Sequence, residues 1–199
     1  MMSALMGPAL VSAIRAARVR CWSLREFRVY GLSASEVPKA EHGQGLRRDA
    51  IDDLVLYRPF SPRDVSLNDF LAEALRRLEQ RGHVYTFAAD GVLLHYSWLE
   101  ERTERAGSDF GHDFRLPGPA AVLWNDYTWP GARGRGLQTQ SIHRRLRDAA
   151  DAGETRMFIS ARADNAISRH NIEKVGFRHW ASGWAEYRFG RVKRWITYE

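Results

Sequence analysis

The stretch Pro130-Gly131-Ala132-Arg133-Gly134-Arg135-Gly136-Leu137-Gln138-Thr139 decides how this chain is read. It follows an apolar run, Ala120 to Trp129, that reads as a strand, and Pro130-Gly131 breaks that strand. It leads into a segment from about Gly136 to Ala152 in which Leu137, Ile142, Leu146 and Ala149 or Ala150 recur at helical spacing. A basic, glycine-containing turn between a strand and a helix is an anion cradle. Glycine lets the backbone approach a ligand, the first N–H groups of the helix lack intrahelical partners, and the helix dipole favours negative charge there. Thr139 adds a hydroxyl donor. No Gly-Lys-Ser/Thr follows, so this is not a P-loop, and the third glycine of a dinucleotide fingerprint is missing.

Outward from the turn, the elements alternate in type. Towards the C-terminus, Thr155 to Ala161 reads as a strand, Ala166 to Val175 as a helix stopped by Gly176, and Phe177 to Glu199 as at least one hairpin around Gly190. Towards the N-terminus, Leu24 to Tyr30 reads as a strand and Arg47 to Leu56 as a short helix ended by Pro59 and Pro62. Ser66 caps a helix whose stripe is Leu67, Phe70, Leu71, Ala74, Leu75 and Leu78, ended by Gly82. His83 to Ala88 and Val92 to Leu99 flank an Asp90-Gly91 hairpin turn. Glu100 to Pro119 reads as a polar connection. The whole is one mixed α/β domain over 24–199, preceded by an extension over 1–23. In that extension Met1 to Ile14 is apolar and Arg15, Arg18, Arg20 and Arg25 follow. A secretory signal places charge first, so the order argues against one. A frayed or packed extension is favoured over an interfacial amphipathic helix.

Composition narrows the function. The 199 residues are 44% hydrophobic and 27% charged, a globular balance. No apolar run of 18 residues exists, which excludes a membrane-spanning helix among the expectations. The lone Cys21 makes no internal disulfide and points to a reducing, cytoplasmic compartment. The net charge of +6 comes mainly from 27 arginines against three lysines, suited to phosphates and carboxylates. These residues are spread along the chain, which argues against a nucleic-acid stripe. Arg144, Arg145 and Arg147 read as a solvated helix face. His112-Asp113 has no further ligand at metal spacing, so no metal is expected. Trp98, Trp124 and Trp129 read as core or pocket walls.

Two blocks resemble the GCN5-related N-acetyltransferases (GNAT). That family's cofactor loop, Gln/Arg-x-x-Gly-x-Gly/Ala after a strand-ending proline, is similar to Arg133-Gly134-Arg135-Gly136-Leu137-Gln138 after Pro130. In many members an Asn leads a helix that ends in Gly-Phe, and Asn165 leads through Ser168, Glu173 and Lys174 to Gly176-Phe177. The resemblance implies an α/β (α+β) fold with a mixed, mainly antiparallel central sheet flanked by helices. It implies an acyl-CoA enzyme, most simply using acetyl-CoA, that acylates the amine of a small molecule or amino sugar by direct attack. Arg133, Gly134, Arg135, Gly136, Leu137, Gln138 and Thr139 would hold the pyrophosphate. The backbone of Tyr127, Thr128 and Trp129 would pair with the pantetheine arm, and Asn165 and Ser168 would lie at its reactive end.

There are departures. Gln138 stands where the family has Gly or Ala, and Ile172 stands where many members place a proton-donating Tyr. Val122 and Trp124 stand where a Glu or His base is common; of the polar residues nearby, Asn125, Asp126 and Tyr127, the carboxylate Asp126 is the first catalytic candidate, beside Asn165. The alternative for Asp126 is a structural ion-pair partner. The alternatives for the chain are a CoA-binding regulatory domain that has lost catalysis, or an acyltransferase acting on charged tRNA or a protein amine. Edge strands near the C-terminus would allow a homodimer.

Overall fold

The backbone of the computed structural model, which describes residues 22–38, 45–62 and 64–199, is a single eight-stranded sheet. Its strands are β1 (Trp22–Ser33), β2 (Arg47–Arg48), β3 (Gly82–Ala89), β4 (Val92–Gly107), β5 (Asp113–Thr128), β6 (Arg156–Arg162), β7 (Arg178–Arg188) and β8 (Arg191–Tyr198). The helices are α1 (Ile51–Leu54), α2 (Leu67–Glu79), α3 (Leu137–Asp151) and α4 (Ala166–Lys174). The spatial order is β2-β3-β4-β5-β6-β1-β7-β8. Every neighbouring pair is antiparallel except β5 and β6. The expected N-terminal extension lies outside the described residues except for Trp22 and Ser23, which open β1.

One face of the sheet carries α3 and α4. Ile142, Leu146 and Ala149 of α3 and Ile172 of α4 are buried there against Tyr30, Tyr85, Leu99, Leu123 and Ile159. Most of the residues that the helical spacing turned inward on α3 are in this layer. The other face carries α1 and α2, where Leu54, Tyr57, Phe70 and Ala74 close over Val84, Leu93 and Trp98. Ser66 caps α2 as its spacing to Asp69 predicts, accepting the Asp69 N–H at 3.2 Å.

Two expectations are corrected. Arg47 to Leu56 is not one helix. Arg47 and Arg48 pair as an edge strand with Thr86 and Tyr85 of β3, and Asp49 turns the chain at a φ of 53°. Its carboxylate accepts from the Val84 N–H. The helix that remains is one turn, held by the buried Asp53, which accepts from Arg47 and from the Thr86 hydroxyl. Local helical patterning loses to the unpaired edge of β3.

Nor is Glu100 to Pro119 a loop. It is the far half of a long β4–β5 hairpin that bends over β1 and β7, where Ala106, Phe110, Phe114 and Leu116 pack on Phe27, Val29, Ala181 and Ala185. His112 Nε2 lies 2.9 Å from the Trp184 carbonyl, and Arg194 Nε donates to the Phe110 carbonyl. Gly183 makes room, since a Cβ there would come within 2.7 Å of the Phe114 ring. Its polar residues face water while every second apolar one faces the sheet, so hydropathy alone resembled a loop.

Candidate functional site

β5 and β6 pair only from Ala121 opposite Met157 to Leu123 opposite Ile159. Beyond that point β5 stays with β4, ending at Thr128 opposite His95, while β6 stays with β1, reaching Arg162 opposite Phe27. A wedge therefore opens between Trp124–Thr128 and Ser160–Arg162, with strand backbone on both walls.

A β-bulge sits at the mouth of the wedge. Tyr96 faces Tyr127 and Trp98 faces Trp124, so Asn125 and Asp126 together oppose Ser97. Asn125 takes the positive φ of 51° that this requires. The bulge shifts the alternation of β5, so that Asp126 turns to the α3 face and Tyr127 to the α2 face. Tyr127 stacks on Tyr96 at 5.3 Å, and Tyr96 contacts Phe70 at 5.1 Å. Trp124 faces Trp98, and the Arg77 guanidinium of α2 lies 4.3 Å from the Trp124 ring centre.

Past Thr128 the chain makes a short 3-10 turn over Pro130–Ala132 and enters the glycine loop. Arg133 Nε donates to the Thr128 carbonyl at 3.2 Å, which ties the loop back to the strand. Gly134 and Gly136 adopt φ of 78° and 74°, the left-handed region that L side chains avoid. Gly136 caps α3, and the first helical bond closes from the Gln140 N–H to the Gly136 carbonyl. The N–H groups just before Gln140 thus have no carbonyl a turn back, and the first turn of α3 carries no acid. Arg133 and Arg135 are exposed beside them. The loop's donors, its positive charge and its lack of carboxylates fit a diphosphate.

Gln138 does not lie across this helix end. Its amide donates to Ser168 Oγ at 3.0 Å and accepts from Asn171 Nδ2 at 2.9 Å. The side chain is a brace between α3 and α4. Asn165 caps α4, its Oδ1 accepting the Ser168 N–H at 3.2 Å. Hydrogen bonds thus link Gln138, at the start of α3 beyond β5, through Ser168 to the Asn165 cap of α4 beyond β6. Asn171 was missed in the sequence, although it stands one helical turn after Ser168.

Asp126 belongs to a different group. Its Oδ1 accepts from Arg145 Nη2 at 2.5 Å, and Arg145 also donates to the Trp98 and Ser141 carbonyls. Arg145 is fully buried, and about a tenth of the Asp126 side chain is exposed. The solvated face expected for Arg145 is corrected: the β-bulge brings a carboxylate under α3, and the guanidinium turns in to meet it. Burial pushes the Asp126 carboxyl up, against the pull of Arg145.

His95, beside this pair, is also buried, with Nδ1 2.9 Å from Thr128 Oγ1 and no partner on Nε2. Burial first, and then the Arg145 charge, lower its pKa to about 3. A folded chain that refuses the proton an unfolded one takes near pH 6.5 loses stability as pH falls from 6.5 towards 3. Urea unfolding at pH 5 is expected to give about 2 kcal/mol less from this residue than at pH 7. A His95→Gln variant is expected to show a correspondingly flatter pH profile.

Ile172 is fully buried in the layer beneath α3 and α4. A tyrosine there would have to enter the core and not the wedge. Ile172→Tyr is expected to destabilise the fold by about 1–3 kcal/mol in chemical denaturation and to leave the rate of acyl transfer no higher.

A mixed sheet whose one parallel pair splays open above a glycine-rich turn and helix N-terminus defines the GNAT acyltransferase fold. Comparison with solved structures agrees. A GNAT-family acetyltransferase from Colwellia psychrerythraea aligns over 96% of this chain and 63% of its own, with a TM-score of 0.56 at 12% identity. A protein assigned to the same family from Novosphingobium aromaticivorans aligns over 89% of this chain and 66% of its own, with a TM-score of 0.54 at 17% identity. The aminoglycoside acetyltransferase AAC(6')-Iy, solved with a bisubstrate analogue of CoA and acetylneamine, aligns over 67% of this chain and 89% of its own, with a TM-score of 0.51 at 19% identity. At these identities the likeness is one of fold. This chain spans just under two thirds of the first two proteins. No protein-family model matches the sequence, and no curated protein matches it. Among the described residues no helix is long and apolar enough to cross a membrane, and no cluster of metal-ligating side chains is present.

Proposed function

We propose that this protein is an acyl-CoA-dependent N-acyltransferase that transfers an acetyl group from acetyl-CoA to the amine of a small molecule. The observation that carries this reading is the wedge between β5 and β6, which opens onto the N-terminus of α3 beside two arginines and two left-handed glycines. Arg133, Arg135 and the backbone N–H groups from Gly134 to Thr139 would hold the diphosphate, through charge-assisted hydrogen bonds. The backbone of Tyr127, Thr128 and Trp129 would pair with the pantetheine arm, with Asn165 and Ser168 across the wedge. Strand N–H groups at the bulge would stabilise charge as it builds on the thioester oxygen.

The amine attacks the thioester carbon, a C–N bond forms and the C–S bond breaks. The amine proton passes to solvent and the thiolate leaves with a proton from water. The ion pair with Arg145 favours a positioning role for Asp126, holding the bulge against α3, over the role of general base. In that role the acceptor enters as the free amine, so log kcat/KM rises with pH until the amine's own pKa, near 10.4 for a lysine-like acceptor. The single Cys21 suits a cytoplasmic enzyme.

Titration calorimetry with acetyl-CoA, followed by a thiol-release screen of primary amines and amino sugars, tests the proposal. Micromolar binding with amine-dependent thiol release is the expected result. Binding without turnover on any amine would leave the regulatory CoA-binding reading, which the buried Ile172 favours. No binding of acetyl-CoA, longer acyl-CoAs or CoA would overturn both.

A further inference from the structure

The end of the sheet beyond β6 is built differently from the wedge. In the register of β1, β7 and β8, Trp22 lies beside Arg188 and Arg191, Leu24 beside Glu186 and Lys193, and Glu26 beside Trp184 and Trp195. These rows lie on the face that α3 covers over β3, β4 and β5, and α4 over β6. Among the described residues no helix lies over them. Trp22, Leu24 and Trp195 are 54%, 45% and 36% exposed. Burial of apolar surface would normally remove such residues from water, so their exposure on one face points to a partner.

The rings on this face are ordered. Trp184 and Trp195 lie near-parallel, 12° apart with centres 6.2 Å apart, and Lys193 Nζ stands 5.7 Å from the Trp195 ring. The Trp22 indole N–H donates to Glu186 at 2.8 Å, fixing that ring and occupying the one carboxylate of the β7–β8 turn region. Around the turn, Arg188, Arg191, Lys193 and Arg194 follow within seven residues. Arg188 and Arg191, at the hairpin end, also border an open basin of about 420 Å³ whose other walls, Ser23, Arg25, Tyr187 and Val192, belong to the opposite face of the sheet. Arg188, Arg191 and Lys193 therefore share one corner of this face with Trp22 and Leu24.

β8 is also the outermost strand of the sheet. Arg191, Lys193 and Arg194 lie along it, and charged residues on an edge strand discourage pairing with another chain. A polyanion meets no such barrier. A ligand with phosphates alone would leave the tryptophans without a role, whereas unpaired bases stack on exposed aromatic rings of an open sheet while their phosphates take arginine and lysine.

We propose that this corner binds a single-stranded polynucleotide, with bases on Trp22 and Trp195 and phosphates on Arg188, Arg191 and Lys193. The site is separate from the acyl-CoA wedge. Fluorescence anisotropy of the full chain with labelled 12-mer oligouridylate and oligothymidylate tests it. Micromolar binding of either strand at 50 mM salt is expected, with a log–log salt slope of about −2 for three phosphate contacts on single strands. A preference for one strand would identify RNA or DNA as the source. Trp22→Ala and Trp195→Ala together are expected to weaken binding about 10- to 100-fold, since each stacked base contributes appreciably. Lys193→Glu, on an exposed edge where folding is not at stake, is expected to make the slope shallower by about one. The tryptophan variant is expected to bind acetyl-CoA as the parent chain does, so the two readings fail independently. Absence of binding at 50 mM salt, equal affinity for inorganic polyphosphate or anionic vesicles, or undiminished affinity in the tryptophan variant would overturn the proposal. So would sedimentation showing a dimer that Trp195→Ala dissociates.

Discussion

Replacing Arg135 and Gly136 together by glutamate is expected to weaken acetyl-CoA binding by at least about 100-fold, or roughly 2.8 kcal/mol. Three effects act in the same direction. One cation beside the proposed diphosphate site becomes an anion, so an attraction turns into a repulsion. A second anion appears at the N-terminus of α3, where the first turn carries no acid and the dipole otherwise favours a ligand's negative charge. The residue at 136 also leaves the conformation that glycine holds at a φ of 74°, which disturbs the start of the helix. The fold should survive, because Arg135 and Gly136 are exposed and the anchoring Leu137 is untouched. Calorimetry against acetyl-CoA, with a thermal melt of both proteins, checks the prediction. An unchanged dissociation constant in a folded variant would place the cofactor elsewhere.

Arg145→Met is expected to cost about 3–5 kcal/mol of stability, a large part of what a domain of this size has. The guanidinium is fully buried and makes bonds to Asp126, Trp98 and Ser141. Removing it leaves a carboxylate and a carbonyl in the interior without their donor, which costs more than the pair itself contributes. Adding Asp126→Asn is expected to recover part of the loss, because a neutral amide is cheaper to bury. Urea denaturation of the two single variants and the double variant measures the coupling. Additive effects would show that Asp126 and Arg145 do not act as a pair. The same variants separate positioning from base catalysis. With Asp126 as a positioning residue, Asp126→Asn alters KM and stability but leaves the pH dependence of kcat/KM following the acceptor amine.

Most of the fold was legible because its signals are local. The Ser66 cap and most of the stripe on α2, the Asp90-Gly91 turn and the glycines that end α3 and α4 depend on residues within a few positions of one another. Leu75, by contrast, is exposed, and Gly82, expected to end α2, opens β3 after Arg81 has taken the left-handed turn at a φ of 65°. The strand-turn-helix at Trp129 to Thr139 was legible for the same reason, and there the two positive-φ glycines are those the turn needed. Where distant strands competed for a segment, local reading failed. Arg47 and Arg48 pattern with a helix, yet they complete the edge of β3. Glu100 to Pro119 patterns as a polar loop, yet its alternate apolar residues close over β1 and β7. Arg145 patterns with a solvated helix face, yet a bulge of one residue in β5 brings Asp126 beneath it.

The amino-acid sequence by itself determined most of the order of elements, the glycine turn between β5 and α3 and the start of α4 after Asn165, because propensity and glycine φ act between near neighbours. Tertiary structure alone decided that β5 and β6 part after Leu123 and Ile159. It also turned Gln138 towards α4, set Asp126 on Arg145, and gathered Arg188, Arg191 and Lys193 with Trp22 and Trp195 on one face of the sheet. Each of these depends on which strands become neighbours and in what register, and that is settled by burial summed over the whole chain.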